Sequence, residues 1–481
     1  FSGPVGNGGF GAGNGGTNSY GGGGLGAGGA VFVMAGASLT IQSNGSSTFS
    51  GNEATGGGSL GPQGSAYGAD LFLGADVTIQ VAADRTLALA SLGGAGNTAD
   101  PNVADDANDP NAQGGLILTG GGRLNLSGSS YYTGQTLVHS GTLELAAGAI
   151  EQGTKNVVIG QNDGDDATLA FQAGSTLTMG SGSTTVILGQ GAGATGTMLI
   201  GAGGGAGAFL GITQVASGSG SGTVIFGQSL SASGTSGNYA FYPVISGNVS
   251  VMQTGSGTTT LTADHTYTGA TTITDGNLVV DGSIELSAFT TVSDHGTLSG
   301  SGHVSDLLLS AGGTISPGNS PGTLTSGGQT WEGGASYVWE INSADGEAGQ
   351  AIGWDLLDID GALLILSTSE DRFVIDVTSL TLADAPCALS DLTLGESYSW
   401  TIATALGGIS GFNADNFEIK TDKFSTNPGI HGNFAVNTSG NNLLLTYTAV
   451  PEPSAALLLL TAMPALAWLH RARKRSGLSP R

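Results

Sequence analysis

Two carboxylates across a cleft are the minimum for cleaving a glycosidic bond, so the run from Trp354 to Gly361, with Asp355, Asp358 and Asp360, comes first. Leu and Ile alternate with these acids, which predicts a strand with one polar side ending at a turn. A lyase on such a strand would need a Lys or Arg base close by. The cations before residue 451 (Arg85, Arg123, Lys155, Arg372, Lys420 and Lys423) are scattered through different stretches. The expectation is a solvated strand with no catalytic residue. A carbohydrate-active enzyme, either polysaccharide lyase or glycosidase, is the alternative.

Other chemistry is thinner. Asp100, Asp105, Asp106 and Asp109 in the loop 97–111, and Asp163 to Asp166, offer hard oxygens of the kind calcium takes. They lack the Asp-x-Asp-x-Asp-Gly order of a calcium-binding loop and read as solvated acidic turns. The six histidines show no ligand spacing. His139, His265, His295 and His303 are expected at the surface. Cys387 is the single cysteine, so no internal disulfide can form; between Pro386 and Ala388 it reads as a small apolar filler. The glycine runs have no strand-to-helix phosphate loop among them. No metal and no cofactor are expected.

With 11 Lys and Arg against 36 Asp and Glu, the chain carries a net charge of −25, and five of the cations lie in its last dozen residues. Such a surface repels phosphate backbones, so nucleic acid is excluded as a partner. Gly numbers 88, yet it recurs between short runs of Thr, Val, Leu and Ser at alternate positions. That texture predicts thin β-coils.

The strongest internal signal is a long repeat. Residues 122–145 align without a gap on residues 257–280. Gly122/Gly257, Leu126/Leu261, Tyr132/Tyr267, Thr133/Thr268, Gly134/Gly269, Thr136/Thr271, Gly141/Gly276 and Leu143/Leu278 coincide. Each copy predicts three short strands broken at Tyr-Thr-Gly and at Ser/Asp-Gly, where glycine takes the positive φ of a turn. One coil cannot bury its apolar face alone, so stacked neighbours are implied.

Gly121, Gly128, Tyr132 to Thr136 and Gly141 to Leu143, with their counterparts Gly255, Gly257, Leu261, Tyr267 to Thr271 and Gly276 to Leu278, resemble the autotransporter-associated β-strand repeat. The resemblance implies a passenger-like right-handed parallel β-helix and carries no catalytic residue. Gly28-Gly29-Ala30-Val31 followed by Phe49-Ser50-Gly51-Asn52 resembles the short repeats of chlamydial polymorphic outer-membrane proteins. Roughly 22 residues per coil and about 4.8 Å between stacked strands would give on the order of 15 coils and a rod of roughly 70 Å over residues 1–330.

In chain order the expectation is Gly-rich coils over 1–113, the repeat-bearing solenoid over 114–330, a β-rich cap over 331–449 and a tail over 450–481. The cap boundary rests on longer strands and on Trp331, Trp339, Trp354 and Trp400. The chain opens at Phe1 without a basic and apolar leader, which leaves a removed signal or a fragment open.

The tail combines Pro451-Glu452-Pro453, an apolar stretch from Ala455 to Leu469 and the cations Arg471, Arg473, Lys474 and Arg475. It is similar to the PEP-CTERM sorting signal of Gram-negative bacteria. That resemblance implies a short hydrophobic helix held transiently in the inner membrane, an exosortase-type membrane protease as partner, and release to the cell surface or matrix. The apolar stretch is shorter than the roughly 20 residues of a permanent span. An exported, non-enzymatic structural or adhesive protein, with extracellular polysaccharide as a partner, is the reading that follows.

Overall fold

A computed structural model of the chain describes residues 26–27, 31–33, 37–48, 66–67, 70–90, 92–94, 114–180, 184–229, 237–318, 320–393, 395–426 and 432–450. The fold is all-β and is a parallel β-helix. Short strands repeat around a narrow core, and each pairs in parallel with its counterparts in the coils before and after. Arg123–Leu126 lies on Ser140–Leu145, which lies on Asp166–Phe171, then Thr195–Ile200, then Ser221–Phe226. The sheet containing them has 14 strands between Ser47 and Ser410. A uniform 22-residue coil would place more strands in that span. Coil length varies instead: Thr290 stands under Leu307, but Thr168 under Thr197 and Val77 under Leu116.

Strand alternation makes the core. Side chains two apart point the same way, so stacking coils in register lines identical positions into columns. One inward column runs Leu126, Leu145, Phe171, Ile200, Phe226, Gln253, Ile273, Val292, Leu309, Trp331 and Ile365. All are buried. Each fully buried aliphatic contributes about 1.5–3 kcal/mol of transfer free energy. Gln253 interrupts this apolar column and is satisfied locally: its Nε2 donates to the Gly255 and Gly257 carbonyls at 2.6 and 3.2 Å, and its Oε1 accepts from Thr259 at 2.7 Å.

The 14-strand sheet and a nine-strand sheet running from Leu39–Ser43 to Thr266–Tyr267 both span the two repeats, but the third face is broken between them. The seven-strand sheet beginning at Val31–Val33 ends at Ala208–Leu210, and a ten-strand sheet begins at Asn238–Phe241. No hydrogen-bonded ladder joins those two strands. Aromatic rings cross the gap: Phe209 lies 6.0 Å from Phe241, edge to face, with Phe171 and Phe226 beside them.

Parallel pairing does not stop at residue 330. Gln329–Trp331 pairs with Leu363–Ile365, Ser336–Ile341 with Phe373–Ser379, and Leu356–Ile359 with Tyr398–Ala405. The direction reverses where Asn442–Ala449 runs antiparallel to both Tyr398–Ala405 and Gly432–Ser439. The tryptophans mark this end of the core. Every one of their four indole N–H groups has an acceptor: Gln329 Oε1 for Trp331, and the carbonyls of Asp355, Thr401 and Ala344 for Trp339, Trp354 and Trp400.

The tail, including the expected short C-terminal helix, lies outside the described residues. Among the described residues no helix is long and apolar enough to cross a membrane.

Candidate functional site

The repeat turns are where the sequence places its densest pattern, and the structure explains it. Tyr132, Thr136 and Thr154 are buried, and their hydroxyls form a chain. Thr154 Oγ1 donates to the Gly134 carbonyl at 3.0 Å. Its lone hydrogen being committed, Thr136 donates to Thr154 at 3.0 Å and Tyr132 to Thr136 at 2.7 Å. The second copy repeats this chain: Tyr267 to Thr271 at 2.6 Å, Thr271 to Ser287 at 3.0 Å, and Ser287 to the Gly269 carbonyl at 3.0 Å. Thr290 and Ser305 continue the theme one coil on, at 2.8 Å. Thr133 is half-buried and Thr268 exposed, with the Thr268 N–H donating to the Gly247 carbonyl at 2.8 Å. The tyrosines are structural, and burial pushes the Tyr267 phenol above its ordinary range.

Gly134 and Gly269 do not adopt the positive φ expected of them. They are glycine because coils touch there: a Cβ would sit 2.3 Å from the Gly114 carbonyl oxygen or 2.4 Å from that of Val249. Positive φ falls instead at the later turns, Gly141 at 87° and Gly276 at 65°.

The carboxylate strand does not form a shared acidic face. Asp355 points inward and is fully buried, with Oδ1 accepting from the Gly322 N–H at 2.8 Å and Oδ2 from the Glu340 N–H at 2.9 Å. Burial, reinforced by the Glu340 carboxylate, holds its carboxyl well above the usual range. Asp358 and Asp360 point the other way. Asp358 sits half-buried in register between Thr325 and Thr404. The Asp360 carboxylate is half exposed and lies 3.6 Å from His303 Nε2, whose Nδ1 is 3.2 Å from Glu285. This His303 cluster joins three coils and was invisible in the linear chain.

His265 corrects a surface expectation: it is 2% exposed, and burial lowers its pKa to about 4 against the opposing pull of Asp264. His139 is half-buried, 3.1 Å from Asp165 and 2.6 Å from Asn162 Nδ2. His295 is exposed. Cys387 is exposed rather than a core filler, because its backbone is what the fold uses. Its N–H donates to the Ser379 carbonyl, and its own carbonyl accepts from the Ser379 hydroxyl.

Asp163 and Asp166 are engaged in turns, accepting from the Ala192 N–H at 2.8 Å and the Thr195 hydroxyl at 2.6 Å. Among the described residues no group of three His, Cys, Asp or Glu side chains is placed to hold a metal ion. The loop 97–111 lies outside the described residues, as do Pro451, Glu452, Pro453, Arg471, Arg473, Lys474 and Arg475.

A further cluster escaped sequence reasoning. Glu144 is buried between coils, paired with Arg123 from the coil before and accepting from Gln172 of the coil after. Burial opposes its ionisation, but hydrogen bonds from Arg123, Gln172 and Asn125 outweigh it and leave the carboxyl below its ordinary value.

No curated protein matches the chain. A family model, the passenger-associated-transport-repeat, matches residues 116–145 and 253–280. Those segments hold the tyrosine and threonine of each hydroxyl chain, while Thr154 and Ser287 follow just beyond them, so the chain carries two passenger-associated transport repeats, each built on its own buried hydroxyl chain.

Proposed function

We propose that this protein is exported and displayed at the cell surface or in an extracellular matrix, as a structural or adhesive rod without catalytic activity. The observation that carries the reading is the pair of passenger-associated repeats. Their polar residues are consumed in holding coil to coil, and the acids of the carboxylate strand diverge. The tail is read as a PEP-CTERM signal: Pro451-Glu452-Pro453 is presented to an exosortase-type protease while residues 455–469 rest in the inner membrane. The two prolines remove backbone donors and keep the motif extended. Arg471, Arg473, Lys474 and Arg475 resist translocation. Val450 is exposed, which supports an accessible junction between fold and motif. Mass spectrometry of the surface-located protein tests this. A C-terminus near residue 450 is expected, and one at Arg481 refutes processing. Turnover of any polysaccharide by the purified chain, abolished by Asp358→Asn, would replace the structural reading with the enzymatic one.

A further inference from the structure

Three sheets reach an edge at the C-terminal end of the helix, and they finish differently. One ends at Ile409–Ser410, only two residues long. Another has Phe417–Lys423 at its margin, with Glu418, Lys420, Asp422 and Lys423 among seven residues. Short length and charge are the usual devices that stop an edge strand from recruiting another chain. The third ends at Gly432–Ser439, eight residues with no charge at all. Among the described residues no strand pairs with its outer side.

The strand is rigidly held from within. Phe434 packs 4.9 Å from Phe424 and 5.2 Å from Tyr447, and Val436 is buried. Asn433, Ala435 and Asn437 face solvent. The sequence suits antiparallel pairing with itself. Centred on Val436, such pairing sets Ala435 against Asn437 and Asn433 against Ser439 of the second copy, so no like charges oppose. In a chain of net charge −25, a neutral strand is where two copies meet at least electrostatic cost.

We infer that Gly432–Ser439 is a pairing edge for a second copy of this chain, joining two rods end to end through an isologous antiparallel seam. The seam is small against ordinary specific interfaces, so the dimer is weak and concentration-dependent.

The test is sedimentation velocity of the full chain, dispersed in mild detergent, over about 1–100 µM, a range suited to a weak complex. A dimer that grows with concentration is expected. The double variant Ala435→Glu/Asn437→Glu sets two carboxylates against two and should weaken it about tenfold or more. Mixing that variant with Ala435→Lys/Asn437→Lys should restore association as a heterodimer, which a misfolded variant could not do. Monomer throughout the range, or a dimer indifferent to both variants, overturns the inference. So does a dimer that forms only after residues 451–481 are removed, because the edge then belongs to the chain's own tail.

Discussion

Ser130 and His265 stand at the same point of the two repeats, and each accepts a backbone N–H from the preceding coil. Leu92 donates to Ser130 Oγ at 3.1 Å, and Ile245 donates to His265 Nδ1 at 3.0 Å. An accepting Nδ1 places the imidazole proton on Nε2, which has no partner among the described residues. The ring is thus held neutral. Its folded pKa of about 4 lies below the unfolded value near 6.5. On acidification the unfolded chain takes the proton first. His265 therefore contributes fully above about pH 6.5, and that contribution, up to about 3 kcal/mol, is lost as pH falls from 6.5 to 4. Urea midpoints measured across this window should fall for the parent chain. They should fall less for His265→Ser, which restores the acceptor that Ser130 supplies in the first copy.

The hydroxyl chain makes its own prediction. Tyr132→Phe removes only the terminal donor and should cost about 1 kcal/mol. Thr136→Val removes the middle link, and with it the bonds to both Tyr132 and Thr154, and should cost about 2–3 kcal/mol. The same order is expected for Tyr267→Phe and Thr271→Val. Equal losses in urea melts would mean the chain is not directional.

Two glycines separate close approach from backbone conformation. Gly134→Ala drives a Cβ into the Gly114 carbonyl, so the coils must part locally. Gly148, at φ 76°, has nothing within 4 Å of a built Cβ. Gly148→Ala should cost only the left-handed penalty of about 1–2 kcal/mol, and Gly134→Ala distinctly more. Hydrogen exchange of the Gly114 to Leu118 stretch should rise in the second variant and stay unchanged in the first.

Asp355 should matter to folding. Asp355→Ala leaves the Gly322 and Glu340 N–H groups buried without acceptors, at about 1–3 kcal/mol each. Asp358→Asn, on the outer side, should leave thermal unfolding within about 0.5 kcal/mol of the parent. Equal destabilisation would contradict the opposed orientations.

Much of this was legible in the chain. Leu126 and Leu261, Tyr132 and Tyr267, and the paired threonines fixed one coil, because the repeat recurs without a gap and alternation has a period of two. The partners one coil away were not legible. Thr154 follows Tyr132, and Ser287 follows Tyr267, at different distances, so no alignment pairs them. His303, Glu285 and Asp360 converge only because unequal coils happen to stack them. Asp355 was misread for another reason: an acid beside alternating leucines looks like part of a polar side. Its inward aim becomes evident only once Gly322 and Glu340 are seen to offer it N–H groups. The glycine of Tyr-Thr-Gly was misassigned likewise, since sequence does not distinguish a turn from a contact.

The break between Ala208–Leu210 and Asn238–Phe241 gives the rod a mechanical address. Tension along the axis is borne by the ladders that link successive coils, and on this face the ladder is missing. Phe209 and Phe241 fill the space but resist separation only through ring contact, which has no directional bond to load. A pulled molecule would first open there, on one side only, and bend before it parted. The two transport repeats would then behave as separate springs, one on each side of a phenylalanine hinge.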